Sequence, residues 1–557
     1  PPGAGRSWTK STGGFRKSRQ QQQNHPDACL FRGRVSGRRN VDRVAYDRNR
    51  ENDLSKKGKV FIIGAGPGDP GLITVRGAEC IGQADVIVYD YLANEEFLSR
   101  ARKDARLIYV GKKGGDHTLP QGEINRILAG EALKGRTVAR LKGGDPFIFG
   151  RGGEEAEVLR EAGIPFEVVP GVTSAIAVPA FAGIPLTHRG YTSTVAFVTG
   201  HEDPTKGRSD IDWTALAGIG TLVFLMGVRN LANITRNLVG AGKAPGTPAA
   251  LIRWGTTPGQ QTLTGTLAGI AATAKKRGFK PPSILVVGEV VSLRPKLEWF
   301  EARPLFGKGI VVTRPEEQAG EFACLLAAEG AEAILFPTIR IAPPLKWGDV
   351  DRALAGLDGY DWIVFTSANG VKHFFARLGE RGGDIRDLKG IRICTIGPAT
   401  AAAVERKGIR VDLVPDEYVS EGVVRAFEAV DLRGKRVLLP RAAEARDVIP
   451  EGLAKMGAEV DVVTAYRTVR SKSRKEDLQV LLEAGRVDVV TFTSPSTVVN
   501  FKKIMGGEPL PGKVRIACIG PVTAAAARKQ GLAIDVYQET FTIPGMVEAL
   551  VNYFSRK

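Results

Sequence analysis

The sequence predicts an α/β protein of two successive modules, each made of two domains. Three observations lead there. Short apolar runs of four to six residues alternate with helical stretches, and they end repeatedly in Gly, Asp, Pro, Lys or Thr, as parallel strands do at their carboxyl ends. From residue 310 the chain begins to repeat itself, too far apart for a solenoid. Between the two halves, Arg294-Pro-Lys-Leu-Glu-Trp-Phe-Glu-Ala-Arg-Pro304 has the composition of a linker.

A chain of 557 residues exceeds what one core supports. Its 43% apolar and 25% charged residues are those of a globular protein. No apolar run is long enough to cross a bilayer. Cys29, Cys80, Cys324, Cys394 and Cys518 are scattered and form no CxxC pair, which points to a reducing, cytoplasmic setting with neither a disulfide framework nor a metal site. Residues 1–59 hold 15 Lys and Arg against 5 Asp and Glu, so +10 of the net +18 sits there and +8 remains for the body. That body suits a small acidic substrate. It lacks the basic stripe with interleaved aromatics that nucleic acid needs. Residues 1–58, rich in Arg, Gln, Gly and Ser, read as a disordered basic leader without an assigned function.

Order begins at Lys59. Val60-Phe-Ile-Ile63 is a buried strand leading into Gly64-Ala-Gly-Pro-Gly-Asp-Pro-Gly71 and a helix around Thr74–Gly82. The dinucleotide fingerprint wants glycine where Asp69 stands, and a carboxylate there repels a pyrophosphate, so this is a ligand turn of another kind. Val86–Tyr89 ends at Asp90, and Leu107–Val110 ends at Gly111-Lys112. Thr137–Leu141 runs into Gly143-Gly144-Asp145-Pro146 with Phe147, Ile148 and Phe149 as an apolar wall. Phe166–Val169 ends at Pro170-Gly-Val-Thr-Ser174. Five strand ends thus carry Pro67, Asp90, Lys112, Asp145 and Thr173. Each alone is an ordinary cap or turn former; together they predict one pocket. A second α/β half follows, with strands at 194–198, 221–225, 249–252 and 283–287, whose ends hold Gly200-His201, Met226-Gly227 and Trp254-Gly255. No metal spacing links His117, His188 and His201.

Gly64–Gly71, Tyr89-Asp90, Val110-Gly-Lys112, Arg140–Glu155, Val169-Pro-Gly-Val-Thr173 and Gly183-Ile-Pro-Leu-Thr187 resemble, in order, the S-adenosylmethionine-dependent uroporphyrinogen-III C-methyltransferases of the tetrapyrrole methylase family. The resemblance spans 59–300, with halves of about 59–185 and 190–297. It implies that the methyl donor lies between the halves at Pro67, Gly143, Gly144, Asp145, Ile148, Thr173, Ser174, Met226 and Gly255. It also implies that Asp90 and Lys112 are proton acceptor and donor, and that the module forms a homodimer. Ser174 departs mildly from the pattern, standing where alanine is frequent. A carboxylate suits the chemistry, because methylation of a pyrrole carbon ends in loss of a proton.

After the linker at 301–306, Ile310-Val-Val-Thr-Arg-Pro315 echoes Val437-Leu-Leu-Pro-Arg441. Ser367 and Ser494 stand 127 residues apart in matching Phe-Thr-Ser strand ends; Gly397 and Gly520 stand 123 apart in matching Ile-Gly-Pro-x-Thr-Ala turns. Two flavodoxin-like domains facing one another are expected. Their Thr-Ser and Gly-Pro-x-Thr elements cap helices and, paired across a cleft, suit a polyanion. This half resembles uroporphyrinogen-III synthase. The resemblance implies a first domain of 307–342 plus 470–555 around a second of 343–469, with hydroxymethylbilane as substrate. It makes Tyr466 the residue that helps the hydroxyl leave, and Thr366, Ser367, Ser494 and Thr523 substrate-facing. The expectation is therefore a bifunctional enzyme of sirohaem and cobalamin synthesis, acting on tetrapyrroles with S-adenosylmethionine as donor and no metal. Its rivals are a methylase of a later corrin precursor and a tetrapyrrole-binding module without catalysis.

Overall fold

The computed structural model describes residues 57–111, 119–201, 209–538 and 540–556. The basic leader, apart from its last two residues, lies outside them, as do Lys112 and His117. The twenty strands found there form four five-stranded sheets.

The first sheet holds β1 (Val60–Gly64), β2 (Val86–Tyr89), β3 (Arg106–Tyr109), β4 (Val138–Lys142) and β5 (Phe166–Val169) in the order β3-β2-β4-β1-β5, all parallel. β1 and β4 are buried along their whole length, which is why they read as continuous apolar runs rather than alternating ones. β4 departs from this rule by burying two charges, Arg140 and Lys142.

The second sheet holds β6 (Val195–Thr199), β7 (Thr221–Leu225), β8 (Pro248–Arg253), β9 (Gln261–Thr266) and β10 (Ser283–Val287), ordered β6-β7-β10-β8-β9. β10 runs antiparallel to both β7 and β8, so β6, β7 and β8 end on the same side. β9 escapes a sequence reading because it is an edge strand, largely exposed and rich in threonine. The helix Ser174–Phe181 leaves the first half and packs Ala175 and Val178 against Val223, Leu225, Ala250 and Ile252 of the second sheet.

The C-terminal sheets use β11 (Gly309–Val312), β12 (Glu332–Leu335), β13 (Ile339–Ala342), β14 (Trp362–Phe365), β15 (Arg392–Thr395), β16 (Arg436–Ala442), β17 (Glu459–Arg470), β18 (Val489–Phe492), β19 (Arg515–Cys518) and β20 (Val536–Tyr537). One sheet is ordered β12-β11-β18-β19-β20 and all parallel, the flavodoxin-like 2-1-3-4-5 arrangement. The other, β13-β17-β16-β14-β15, comes from the chain inserted between β12 and β18. β13 sits in this inserted sheet, whereas a division at 342 puts it in the flanking domain. The cause is β17, which runs for 12 residues and pairs its last four, Arg467–Arg470, antiparallel with Ile339–Ala342. No described helix is long and apolar enough to cross a membrane.

Candidate functional site

The N-terminal site is built by glycines. Gly66 and Gly144 exchange backbone hydrogen bonds of 3.2 and 2.7 Å, joining the turn after β1 to the turn after β4. A Cβ on Gly171, in the turn after β5, would stand 2.4 Å from the Gly144 carbonyl oxygen and 2.5 Å from the Gly64 Cα. Three strand ends therefore approach more closely than any side chain permits. Asp145 locks them. Its Oδ1 accepts from the Phe147 N–H at 2.8 Å and its Oδ2 from the Gly171 N–H at 3.0 Å. Both oxygens thus hold neighbouring loops, a structural role beside the ligand contact expected from the sequence.

The second half closes on this turn. The Asp69 N–H donates to Thr256 Oγ1 at 3.1 Å, and a Cβ on Gly68 would meet Thr257, Thr256 and Gly255. Gly255 in turn lies against Val178 of the helix capped by Thr173, whose Oγ1 accepts from Ala175 N–H at 3.3 Å. Gly144 faces the Thr173–Ser174 backbone. Pro67, Gly143, Gly144, Asp145, Thr173, Ser174 and Gly255 are thereby brought to one crevice. Met226 follows Leu225, which packs on that same helix.

Two further features mark the crevice. Phe149, Arg151, Met226, Trp254 and Thr256 are the non-glycine residues with positive φ among the described residues, and all lie in these loops. Each such residue costs on the order of 1–3 kcal/mol, and strain of this kind gathers at functional sites. The loops also leave Tyr91, Leu92, Phe147, Ile148, Phe149, Ile176, Met226 and Trp254 exposed. Tyr91 and Trp254 meet edge to face at 6.4 Å across the two halves. Apolar side chains concentrated this way suit a flat, largely apolar ligand.

Asp90 ends β2 and is a quarter exposed. Its Oδ1 accepts from the Leu92 N–H at 3.1 Å, and its Oδ2 takes the Arg140 guanidinium at 3.0 Å. Arg140 reaches Glu155 Oε1 at 3.3 Å, Lys142 reaches the same oxygen at 2.6 Å, and Gln121 donates to it at 3.1 Å. Glu155 is fully buried and its Oε2 has no partner. Burial, then neighbouring Arg140, pushes the Lys142 ammonium below the ordinary lysine range. Sequence reasoning missed this set. Its signal was two charges at alternate positions of an otherwise apolar central strand.

The C-terminal site has a different chemistry. Ser367 Oγ and Tyr466 Oη lie 2.9 Å apart, joining the end of β14 to β17. Tyr466 is 7% exposed, and burial pushes its phenol above the usual value, so it is protonated and able to donate at neutral pH. His373 stacks on Tyr466 at 5.9 Å, and burial lowers its imidazole below the ordinary value. Ser494 caps its helix and meets Ser496 Oγ at 2.9 Å. Thr523 is buried in the first turn of the helix after β19. Thr366 stands beside Ser367, half-buried. The structure therefore joins Ser367 to Tyr466, while Ser494 and Thr523 lie at adjacent strand ends of the other sheet. Among the contacts that bridge the two domains, Gln318 Nε2 donates to Asn369 Oδ1 at 3.0 Å.

Residues 59–271 match the profile of the Tetrapyrrole (Corrin/Porphyrin) Methylases, and residues 320–548 match that of Uroporphyrinogen-III synthase HemD. The porphyrin biosynthesis protein HemD of Ruminiclostridium josui is 40% identical over 496 residues, 89% of this chain and 98% of its own. A uroporphyrinogen-III C-methyltransferase of Bacillus subtilis is 39% identical over 380 residues, 68% of this chain and 77% of its own. The S-adenosyl-L-methionine-dependent uroporphyrinogen III methyltransferase of Methanosarcina barkeri is 55% identical over 237 residues, 42% of this chain and 93% of its own. By both modules, and along nearly its whole described length, the chain belongs to the porphyrin-biosynthesis family in which a tetrapyrrole methylase is followed by a uroporphyrinogen-III synthase.

Proposed function

We propose that the C-terminal module closes hydroxymethylbilane to uroporphyrinogen III and that the N-terminal module methylates this product twice, giving precorrin-2 for sirohaem or cobalamin synthesis. The observation that carries the methylase reading is the meeting of the two halves, in which the Pro67–Asp69 turn of one is bonded to Thr256 of the other. Glycine and backbone at these strand ends leave room for a ligand to approach the main chain closely. S-adenosylmethionine bound there would supply the electrophilic methyl group. The strand-end loops hold the donor, and the exposed aromatic and aliphatic side chains above them hold the macrocycle, so most of the rate gain comes from positioning. Asp90, steadied by Arg140, takes the proton that the cationic macrocycle gives up, at a position other than the now quaternary methylated carbon. Lys112 is proposed as its proton donor on the strength of the family resemblance.

In the synthase module, Tyr466 donates toward the departing hydroxyl with Ser367 fixing its orientation. Thr366, Ser494 and Thr523 face the acidic substrate. A homodimer through the methylase module completes the proposal. The test supplies the whole chain with hydroxymethylbilane and S-adenosylmethionine and follows product mass. A product carrying two added methyl groups is expected. Uroporphyrinogen III without methyl groups removes the methylase half of the reading, and formation of only the uncatalysed ring isomer removes the synthase half.

A further inference from the structure

Arg314 follows β11, an inner strand of the flanking synthase sheet, in the register Val312 opposite Thr491 of β18. It is therefore the neighbour of the strand end that carries Ser494. Its side chain is half-buried, and burial, only partly offset by Glu321, lowers its pKa from the ordinary arginine value. Among the described residues no carboxylate comes within ion-pair distance of it. Its hydrogen-bond partner is neutral: Arg314 Nη2 donates to Gln318 Oε1 at 3.3 Å.

A half-buried guanidinium with no ion-pair partner has donors left free to receive an anion from outside. The contrast within this module is direct. Arg441, at the corresponding end of β16 in the repeated unit, is similarly withdrawn but is paired with Asp447. Gln318 gives Arg314 a further property. Its amide nitrogen continues to Asn369 of the other sheet, on the helix capped by Ser367, whose hydroxyl meets Tyr466. Arg314 thus stands one side chain, Gln318, from the facing domain and on the side where the Ser367–Tyr466 pair lies.

We propose that Arg314 is a carboxylate-binding residue of the synthase cleft, receiving one acid group of the linear tetrapyrrole in a bidentate contact, with Gln318 holding the guanidinium in place and tying that contact to the opposite domain. A planar fork suits this task better than an ammonium. The inference rests on the synthase function proposed above.

The experiment uses the full chain with Arg314→Met and Arg314→Lys. For Arg314→Met, KM for hydroxymethylbilane rises roughly 10- to 50-fold while kcat stays within about threefold, and Arg314→Lys recovers only part of that loss. The melting temperature of Arg314→Met holds or rises, because a half-buried charge without an ion-pair partner has been removed. A structural strut gives the opposite pattern, with a lower melting temperature and unchanged KM, and that result overturns the assignment. Absence of ring closure in the unsubstituted chain overturns the synthase reading itself, and Arg314's role with it. Active unsubstituted protein with an Arg314→Met variant of equal KM rejects Arg314 alone.

Discussion

The two clefts of this chain solve different problems with different side chains. Around Asp90 the methylase links a partly exposed carboxylate to three buried charges, Arg140, Glu155 and Lys142, beneath strained, glycine-packed loops. Around Tyr466 the synthase offers a phenol, a hydroxyl and a stacked imidazole, none of them ionised at neutral pH. Carbon methylation places positive charge on the ring and must remove a proton, so a held carboxylate is useful at one defined point. Loss of a hydroxyl followed by ring closure asks mainly for a proton donor and an enclosing surface. Charge is concentrated where the chemistry makes charge.

That comparison is broken most severely at Asp90. Asp90→Asn keeps the shape and the Leu92 contact but loses the base, and methyl transfer falls by about 10²- to 10⁴-fold while calorimetry shows donor binding retained. Full turnover in this variant would remove Asp90 from the mechanism. Next comes Glu155→Gln, which leaves Lys142 and Arg140 buried without their shared anion. Breaking a buried pair from one side costs about 3–5 kcal/mol, so the methylase transition in thermal unfolding drops steeply. An unchanged transition would show that the cluster is solvated after all.

Much of this was legible in the residues. The buried strands Val60–Gly64, Thr221–Leu225 and Ser283–Val287 are continuous apolar runs with glycine or proline near their ends, and their pattern has no competing reading. The strand-end glycines foretold close approach, which Gly64, Gly144 and Gly171 display. What stayed hidden depended on partners distant in sequence. Asp145 reads as a ligand acceptor, and its added hold on the Gly171 N–H, 26 residues on, is visible only in the fold. Glu155 reads as one helix carboxylate among several, and only tertiary packing buries it against β4. β13 has the length and composition of a strand in either sheet, and its place is set by the long β17.

The comparison is sharpened by two smaller effects. Asp145→Ala frees the Phe147 and Gly171 amides and loosens the loops, so donor affinity measured by calorimetry weakens about tenfold. Unchanged affinity would mean that the glycine contacts alone hold the loops. Tyr466→Phe removes one neutral donor from a site without buried ion pairs of its own, and ring closure in a stopped assay slows by roughly tenfold, far less than methylation does in Asp90→Asn. A loss as large as that at Asp90 would mean that the synthase, too, depends on one proton-transfer group.

The mildest effect is expected at Glu167, a carboxylate on β5 away from both clefts. Arg76 first, and Lys59 second, hold it down to about 2, below the ordinary glutamate value. A depressed folded-state pKa adds stability above the unfolded-state value of about 4.3. That contribution is lost as pH falls from there through about 2. Glu167→Gln therefore melts slightly below the parent at neutral pH, by the equivalent of about 0.2–1 kcal/mol, since the carboxylate is partly exposed and screened. Melting temperatures of the two proteins converge as the pH is lowered through that window. Glu155→Gln, by contrast, should stay well below the parent at neutral pH even at high salt, because its partners are out of reach of screening ions. A salt-sensitive Glu155 variant and a salt-insensitive Glu167 variant would reverse the distinction between catalytic and peripheral charge on which the comparison rests.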